Sequence, residues 1–288
     1  MATTNQSSSD EAKVISETLI PELPVDEDIH LLNGFWYPTW VIHGLLALQQ
    51  HFKPHPNDVL LASYPKSRTT WLKALLFSIV NRATYNHDDM MHPLLNSTPH
   101  ELVLWLENYA SSNPTNPRPP QSFLFSTHLA YPSLPEQIRS SSCRIVGFQP
   151  IHVTGYYKAS IQFPNKVFFV RYEDLKTEAV FHVKRLAEFV GWPFSEEEEN
   201  EGVVQKITDL CSFDKLSNLE VNKNGSFIRK LSPGRTVSVI HNTFFRKGEI
   251  GDFKNHLSEE MSEILDKITE DKFNEVGLKT FVSLVKTD

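Results

Sequence analysis

The stretch LLASYPKSRTTW, residues 60–71, joins an apolar run to a helical pattern through a short polar turn. Residues 58–64 have the length and apolar content of a buried strand. From Thr69 onward, apolar residues recur with the i, i+3, i+4 and i+7 spacing of one helical face, at Leu72, Leu75, Leu76 and Ile79. The sequence therefore predicts a strand, a tight turn and a helix in this order.

The turn between the strand and the helix is predicted to bind an anion. The first N–H groups of a helix have no intrahelical acceptor, and the helix dipole adds partial positive charge there. Lys66 supplies a cation, and Ser67, Thr69 and Thr70 supply hydroxyl donors. The turn is not a Walker A loop, because the pattern GxxxxGK[ST] is absent. An ordinary turn with a surface lysine is the alternative, but packing does not explain this cluster of donors.

Length and composition predict one α/β domain. With 288 residues, 40% of them hydrophobic, the chain can bury one large core. Residues 1–20, Ser- and Thr-rich at their start, are expected to form a disordered tail, and residues 21–288 the domain. A net charge of −7 argues against nucleic acid or an anionic membrane as the main partner. Two cysteines and the lack of a signal or membrane-spanning pattern predict a cytoplasmic protein.

Three further apolar runs predict the rest of the sheet, at residues 122–127, 143–146 and 166–171. Short apolar strands that alternate with helical sequence are typical of a mostly parallel central sheet flanked by helices. An aromatic-rich helix is expected within residues 31–52. Helices are also expected at 101–109, after Ser195 and at 258–273, and a flexible loop at 223–238.

His128 is the candidate general base, because it follows the strand predicted at 122–127. Ligands of open α/β sheets bind outside the carboxyl ends of the strands. A neutral imidazole there can take a proton from an acceptor hydroxyl near pH 7. The chain has 12 histidines, and only its position distinguishes His128 from the others. No HExxH or CxxC motif is present, so no metal is predicted.

A second candidate site for an anion is the turn Arg246-Lys247-Gly248, which places two cations before a glycine. Such a turn can present side chains and backbone N–H groups to a phosphate. A solvated basic loop is the alternative. Tyr172 follows the fourth predicted strand and is expected to face the same crevice.

Taken together, four motifs resemble those of the cytosolic sulfotransferases, in particular the plant branch. They are YPKSxTTW at 64–71, STHL at 126–129, RYEDLK at 171–176 and FFRKGxxGDxKNHL at 244–257. The likeness extends from about residue 31 to the end of the chain. It implies a P-loop-like three-layer α/β fold and transfer of a sulfuryl group from 3′-phosphoadenylyl sulfate to a hydroxyl of a small acceptor, such as a steroid, flavonoid or phenol.

The resemblance also implies roles for individual residues. His128 is the implied base, Lys66 lies near the bridging oxygen of the leaving group, and Tyr172 touches the adenine side, as does the turn Cys211-Ser212-Phe213. The 3′-phosphate is assigned to Arg246, Lys247 and Gly248. The 5′-phosphosulfate end is assigned to Lys66, Ser67, Arg68, Thr69, Thr70 and Trp71. No metal is implied, and a homodimer stays open.

Two departures from the family pattern bear on activity. After Val146 the chain lacks a segment that supplies an Arg and a Ser to the 3′-phosphate in the family. Arg68 stands where the family has Gly, and it is expected to strain the turn and intrude on the site, although an added cation is the alternative. A non-catalytic relative with weak or no nucleotide binding is therefore the rival hypothesis. A P-loop kinase or NTPase is disfavoured, because the Walker A glycines are absent.

Overall fold

The computed structural model describes residues 29–85, 91–120, 122–148, 154–232 and 235–278. The tail predicted at residues 1–20 lies outside these ranges. Among the helices within them, none has the length and apolar content needed to cross a bilayer. Both cysteines, Cys143 and Cys211, are buried and free, as expected of small packing residues.

Strands and helices alternate along most of the described chain. The strands are β1 (Ile29–Leu32), β2 (Phe35–Pro38), β3 (Val59–Ser63), β4 (Leu124–Thr127), β5 (Arg144–Phe148), β6 (Val167–Val170), β7 (Ser226–Ser232) and β8 (Arg235–Ile240). The helices are α1 (Thr39–His51), α2 (Thr69–Asn81), α3 (Pro99–Leu102), α4 (Leu106–Ser112), α5 (Glu136–Ser140), α6 (Thr154–Gln162), α7 (Tyr172–Thr177), α8 (Ala179–Val190), α9 (Glu196–Asn200), α10 (Val203–Leu210), α11 (Phe213–Asn218), α12 (Glu220–Asn224) and α13 (Glu259–Asn274).

The central sheet is parallel and has the strand order β4-β3-β5-β6. These are the four strands predicted from the apolar runs, so the predicted α/β sheet is confirmed. Leu61 pairs with Ser126 of β4 on one side and with Val146 of β5 on the other. Because β3 and β4 are parallel neighbours, their carboxyl ends lie side by side, and residues that follow them meet at one edge.

Helices cover both faces of this sheet, which gives three layers. Val59 and Leu61 of β3 pack into a core with α2, α8 and α10, whereas Leu60 and Ala62 pack into a second core with α1, α4 and α6. Successive residues of a strand point to opposite faces, so a strand between two helical layers is apolar throughout. The helix predicted from Thr69 is present and buries Leu72, Leu75, Leu76 and Ile79.

The prediction of a helix within residues 31–52 is correct only from Thr39 onward. The preceding residues form the β1–β2 hairpin, in which Leu32 pairs with Phe35. Asn33 and Gly34 connect the strands with φ angles of 50° and 80°. Positive φ at both central residues is the type I′ geometry that an Asn-Gly pair favours.

The prediction of a flexible loop at residues 223–238 is wrong. β7 and β8 form an antiparallel hairpin across most of this range, with Phe227 opposite Val239 and Arg229 opposite Val237. The hairpin packs against α4, which connects it to the end of β4. Gly, Ser and Lys content suggested a loop, but backbone pairing and contact with α4 override that local preference.

Of three other helix predictions, one needs a change and two are confirmed. The helix expected at 101–109 is divided into α3 and α4, and residues 103–105 between them run beside β4. The helix expected after Ser195 is confirmed, since the Ser195 hydroxyl accepts from the Glu198 N–H and the Glu198 carboxylate accepts from the Ser195 N–H. The helix expected at 258–273 corresponds to α13.

Candidate active site

The turn between β3 and α2 is held in an uncommon backbone conformation. Lys66 and Arg68 both have left-handed φ angles, 64° and 65°. The hydroxyl and N–H of Ser67 both donate to the Tyr64 carbonyl, at 2.5 and 3.2 Å. Left-handed backbone is unfavourable for a residue with a Cβ by about 1 kcal/mol. Arg68 therefore does lie in the left-handed backbone in which a side chain brings strain, and Lys66 shares this conformation.

The two cations of the turn reach across to residues 243–249. The Lys66 Nζ donates to the Thr243 carbonyl at 3.2 Å. The Arg68 guanidinium lies 3.5 Å from the centre of the Tyr172 ring and donates to the Glu249 carbonyl at 2.7 Å. The structure thus brings the predicted anion turn against the segment that carries the second basic motif.

Thr70 belongs to a buried hydrogen-bonded chain that the sequence analysis missed. Its Oγ1 lies 2.9 Å from Nε2 of His100, and Nδ1 of His100 lies 3.2 Å from Nζ of Lys73. Lys73 also donates to the Val103 carbonyl at 2.8 Å. When Lys73 is protonated its ammonium only donates, so His100 then accepts at Nδ1 and donates from Nε2 to Thr70. The Thr70 hydroxyl proton is then available for an anion at the start of α2.

Burial makes the charges of this chain unusual. Burial, followed by the nearby positive charge of Arg229, lowers the pKa of Lys73 to about 7. Burial and the adjacent Lys73 hold the pKa of His100 well below its ordinary value, so that imidazole is neutral at pH 7. The sequence signal for Lys73 was its charge on an otherwise apolar helix, since a buried lysine is rare unless it is paired.

His128 lies one strand away from the anion turn, at the end of β4. Its Nδ1 lies 2.6 Å from the Ser63 carbonyl, and a carbonyl only accepts, so Nδ1 carries the proton and Nε2 carries the lone pair. The Ser63 hydroxyl is in turn 2.7 Å from the Thr69 hydroxyl. Burial lowers the pKa of His128 to about 4, so the ring is neutral at pH 7. An imidazole in this state can accept a proton at Nε2.

Glu107 and Trp105 fix the surroundings of His128. One oxygen of the buried Glu107 carboxylate accepts from the Thr127 hydroxyl at 2.5 Å and from the His128 N–H at 3.0 Å. Burial raises the pKa of Glu107. The Trp105 ring meets the His128 ring edge to face at 4.5 Å, and Trp40 lies 4.7 Å from Trp105 on another side. These residues had no motif of their own, and the bridge between Trp105 and Ser126 at the edge of β4 places them here.

The cations of the second basic motif bind a carboxylate of their own segment. Arg246 lies 2.9 Å and Lys247 3.1 Å from the two oxygens of Asp252. A hydrogen bond from Asn255, followed by the bond from Lys247, lowers the pKa of Asp252 to about 2. Both cations are largely exposed, so these bonds contribute little to stability and the side chains can exchange partners.

Gly248 connects this motif to an aromatic cluster. Its φ is 68°, and a Cβ at this position would lie 2.6 Å from the Phe213 ring, so the turn requires glycine. Its carbonyl accepts from the Tyr172 hydroxyl at 3.0 Å, and Tyr172 contacts Trp71 edge to face at 5.7 Å. Of the predicted Cys-Ser-Phe turn, Phe213 makes this contact, whereas the hydroxyl of Ser212 caps α11.

The connection after β5 is short at the place where the sequence departs from the family pattern. β5 ends at Phe148 and α6 begins at Thr154, with residues 149–153 between them outside the described ranges. α6 still provides a helical crossover between the parallel strands β5 and β6, and it buries Tyr156 and Ala159. The four-stranded sheet is therefore complete despite the missing segment.

Comparison with known proteins identifies the family. The model of the sulfotransferase domain matches residues 56–148 and 151–277, and the break falls directly after β5. Cytosolic sulfotransferase 7 of Arabidopsis thaliana is 37% identical over 324 aligned positions, which cover 94% of this chain and 96% of that protein. That alignment is longer than the 288 residues of this chain, so the relative carries residues that this chain lacks.

Two further proteins extend the comparison. Flavonol 3-sulfotransferase of Flaveria bidentis is 38% identical, over 87% of this chain and 92% of that protein. The crystal structure of a retinol dehydratase in complex with androsterone and the inactive cofactor PAP superposes with a TM-score of 0.64. It is 16% identical and covers 96% of this chain and 97% of the other, and at this identity it supports the fold alone. On the family match and the sequence identity, the chain belongs to the sulfotransferase family of transferase enzymes.

Proposed function

We propose that the protein transfers a sulfuryl group from 3′-phosphoadenylyl sulfate to a hydroxyl of a small acceptor, with His128 as the general base. The observation that carries this proposal is the pairing of His128 with the anion turn. Nδ1 of His128 donates to Ser63, the last residue of the strand that leads into the turn, and Nε2 keeps its lone pair. A neutral base beside a cationic anion site is what sulfuryl transfer requires.

The residues present fit most of the proposed donor. The start of α2, with Lys66, Thr69 and Thr70, offers backbone N–H groups, hydroxyls and a cation to a phosphosulfate. Arg246 and Lys247 would hold the 3′-phosphate, with Gly248 allowing close approach of the backbone. Trp71, Tyr172 and Phe213 would contact the adenine. PAP, the nucleotide product of such a donor, accompanies the retinol dehydratase in its crystal structure.

His128 and Lys66 have complementary roles in the proposed reaction. His128 takes the acceptor hydroxyl proton at Nε2 as the new bond from oxygen to sulfur forms. Lys66 and the N-terminus of α2 stabilise the negative charge on the departing bridging oxygen as its bond to sulfur breaks. Positioning and charge neutralisation supply most of the catalysis of such transfers, so the scheme uses no covalent enzyme intermediate.

Aromatic side chains support an apolar acceptor. Trp40 and Trp105 lie beside His128, and Tyr37 is buried nearby with its hydroxyl 3.2 Å from the Ser133 hydroxyl. Trp36 is 48% exposed and contributes less. The Flaveria relative is named as a flavonol 3-sulfotransferase, and the retinol dehydratase with the same fold was crystallised with androsterone. We therefore propose a hydroxylated flavonoid, steroid or phenol as acceptor, and a cytoplasmic location like that named for the relatives.

Labelled donor incubated with a panel of flavonoid, steroid and phenolic acceptors tests this proposal. We expect label in at least one acceptor with the wild-type protein. Under the same conditions His128→Ala, checked for native circular dichroism, should transfer at least about a hundredfold less. No transfer to any acceptor by folded wild-type protein would refute the active-enzyme proposal.

The second candidate is that this chain is a non-catalytic member of the family, which binds the donor weakly or not at all. Two observations favour it: the Arg68 guanidinium lies over the Tyr172 ring that would contact the adenine, and the segment after β5 is short. Calorimetry with adenosine 3′,5′-bisphosphate separates the candidates. Micromolar binding supports the enzyme, and no binding at millimolar concentration supports the second candidate.

A further inference from the structure

Arg229 is a half-buried cation that the four family motifs do not include. It lies on β7, and its guanidinium carbon is 5.3 Å from the centre of the Trp105 ring and 5.5 Å from that of the Phe227 ring. Its neighbour Ile228 points the other way and is 64% exposed. The alternation along β7 therefore directs Arg229 toward α4 and the end of β4.

The guanidinium of Arg229 has no acceptor within the described part of the chain: neither a carboxylate nor a carbonyl of those residues binds it. Other partly buried arginines differ, because Arg82 binds Glu198, Arg118 binds Asp58 and Arg171 binds Asp174. Burial lowers the pKa of Arg229, which reports incomplete hydration of the charge. A desolvated cation that contacts aromatic rings but no hydrogen-bond acceptor is unfavourable, and an anionic ligand would relieve that cost.

Arg229 and the candidate base share one aromatic neighbour. Trp105 contacts the His128 ring at 4.5 Å and the Arg229 guanidinium at 5.3 Å. The positive charges of Lys73 and Arg229 both lower the pKa of His128. Glu107, the nearby carboxylate, is already bonded to Thr127 and His128. Glu107 therefore makes no bond to Arg229. The positive charge of Arg229 remains on the side of His128 where the acceptor is proposed to bind.

We propose that Arg229 binds an acidic group of the acceptor, so that the preferred substrates are hydroxylated compounds that also carry a carboxylate. This inference rests on the proposed function, since it places the acceptor hydroxyl at His128. The carboxylate then lies against Arg229, which has the Trp105 ring as a neighbour in common with the imidazole. Planar guanidinium matches a carboxylate in two parallel hydrogen bonds, which favours an acid over a neutral group of the same shape.

Matched acid and amide acceptors test the proposal, because each pair differs in charge at nearly constant shape. Suitable probes are para-hydroxyphenylacetate, para-hydroxyphenylpropanoate and omega-hydroxydodecanoate, each beside its primary amide. For wild-type protein we expect kcat/KM to favour the acid by about tenfold or more in at least one pair. Arg229→Met should bring that ratio close to one, and Arg229→Lys should keep part of the preference.

The ratio is taken within each protein, so a general loss of activity cancels. Arg185→Met is the control, because the Arg185 guanidinium also lies over two aromatic rings but on α8, where these are Phe168 and Phe181 rather than Trp105. This control should keep the wild-type ratio. An acid-to-amide ratio near one in every wild-type pair, or a preference that survives in Arg229→Met, overturns the proposal. So does a change in Arg229→Met confined to the KM for the donor.

Equilibrium binding separates failure of this inference from failure of the proposed function. Calorimetry of the acid and amide probes, with adenosine 3′,5′-bisphosphate present, needs no turnover. If the bisphosphate binds and transfer occurs without an acid preference, the proposed function stands and the Arg229 inference falls. If neither transfer nor bisphosphate binding occurs, the proposed function falls, and tighter binding of an acid that Arg229→Met abolishes still supports an anion site at Arg229.

Discussion

The position of His128 in the sequence predicts where the residue lies, but not the orientation or the pKa of its ring. Its place directly after an apolar run predicted a location at the carboxyl end of a strand, and the structure has it there. The orientation of the ring depends on the Ser63 carbonyl, which is 65 residues away in the chain. The lowered pKa depends on burial beneath Trp105 and other residues that no local pattern identifies.

Replacement of His128 should affect chemistry more than donor binding. His128→Asn keeps a polar side chain near the Ser63 carbonyl but provides no proton acceptor of suitable basicity. We expect kcat to fall by roughly 10²- to 10⁴-fold, as for loss of a general base. The dissociation constant of adenosine 3′,5′-bisphosphate, measured by calorimetry, should stay within about threefold. A fall in kcat below tenfold would contradict the assignment of His128 as base.

The pKa of His128 also predicts how stability depends on pH. Its native pKa, about 4, is below the unfolded value of about 6.5, so the unfolded state binds more protons between these values. The contribution of His128 to the free energy of unfolding is complete above pH 6.5. It is lost as the pH falls toward 4, by up to about 3 kcal/mol. Urea unfolding at pH 7 and pH 5 should show a smaller pH effect for His128→Gln than for wild type, and equal effects would contradict this.

Arg68 has two separable effects, one of its backbone and one of its guanidinium. Arg68→Gly relieves the left-handed backbone by about 1 kcal/mol and clears the Tyr172 ring, whereas Arg68→Ala clears the ring alone. We expect both variants to bind adenosine 3′,5′-bisphosphate more tightly than wild type, and Arg68→Gly to have the highest Tm. Weaker binding in both variants would instead make Arg68 an added cation of the donor site.

At the scale of elements, the buried strands were predictable and the two hairpins were not. β3, β4, β5 and β6 are short apolar runs, because both faces of a central parallel strand are covered. The β1–β2 hairpin contains an Asn-Gly turn signal, but its aromatic residues were read as part of the following helix. In β7 the apolar Ile228 is exposed and Arg229 points inward. The alternation of apolar and polar residues in β7 would therefore predict the wrong face as buried.

Lys73 of α2 should give the protein a pH-dependent stability above neutrality. Its native pKa of about 7 lies below the unfolded value of about 10.5, so the unfolded state binds more protons between them. This buried lysine therefore destabilises the fold below pH 7, and the penalty decreases as pH rises. Between pH 7 and 8.5 we expect wild-type stability to rise by up to about 1.4 kcal/mol per pH unit relative to Lys73→Met. Parallel denaturant curves for the two proteins would refute this.

At the scale of the whole molecule, strand order determines which motifs meet. Neighbouring positions for β3 and β4 bring the anion turn to His128, and this proximity follows from parallel pairing. The approach of residues 243–249 to the same turn is not predictable from spacing. It depends on bonds from Lys66, Arg68 and Tyr172 to backbone carbonyls of that segment. The contact of Arg229 with Trp105 likewise depends on the position of the β7–β8 hairpin, which spacing does not predict.

If Arg246 and Lys247 hold the 3′-phosphate as proposed, the short connection after β5 should limit its recognition, because the Arg and Ser that the family resemblance implies there are missing. The match to the sulfotransferase domain breaks after residue 148. Insertion there of the Arg- and Ser-bearing segment that the family resemblance implies is missing tests this. We compare the dissociation constants of adenosine 3′,5′-bisphosphate and adenosine 5′-phosphate. The insertion should raise the preference for the bisphosphate at least about tenfold, since each charge-assisted bond contributes on the order of 1.5 to 3 kcal/mol.

A Gly/Ser insertion of equal length should leave the preference unchanged. An equal preference in wild type and the restored chain would show that Arg246, Lys247 and Gly248 suffice for the 3′-phosphate.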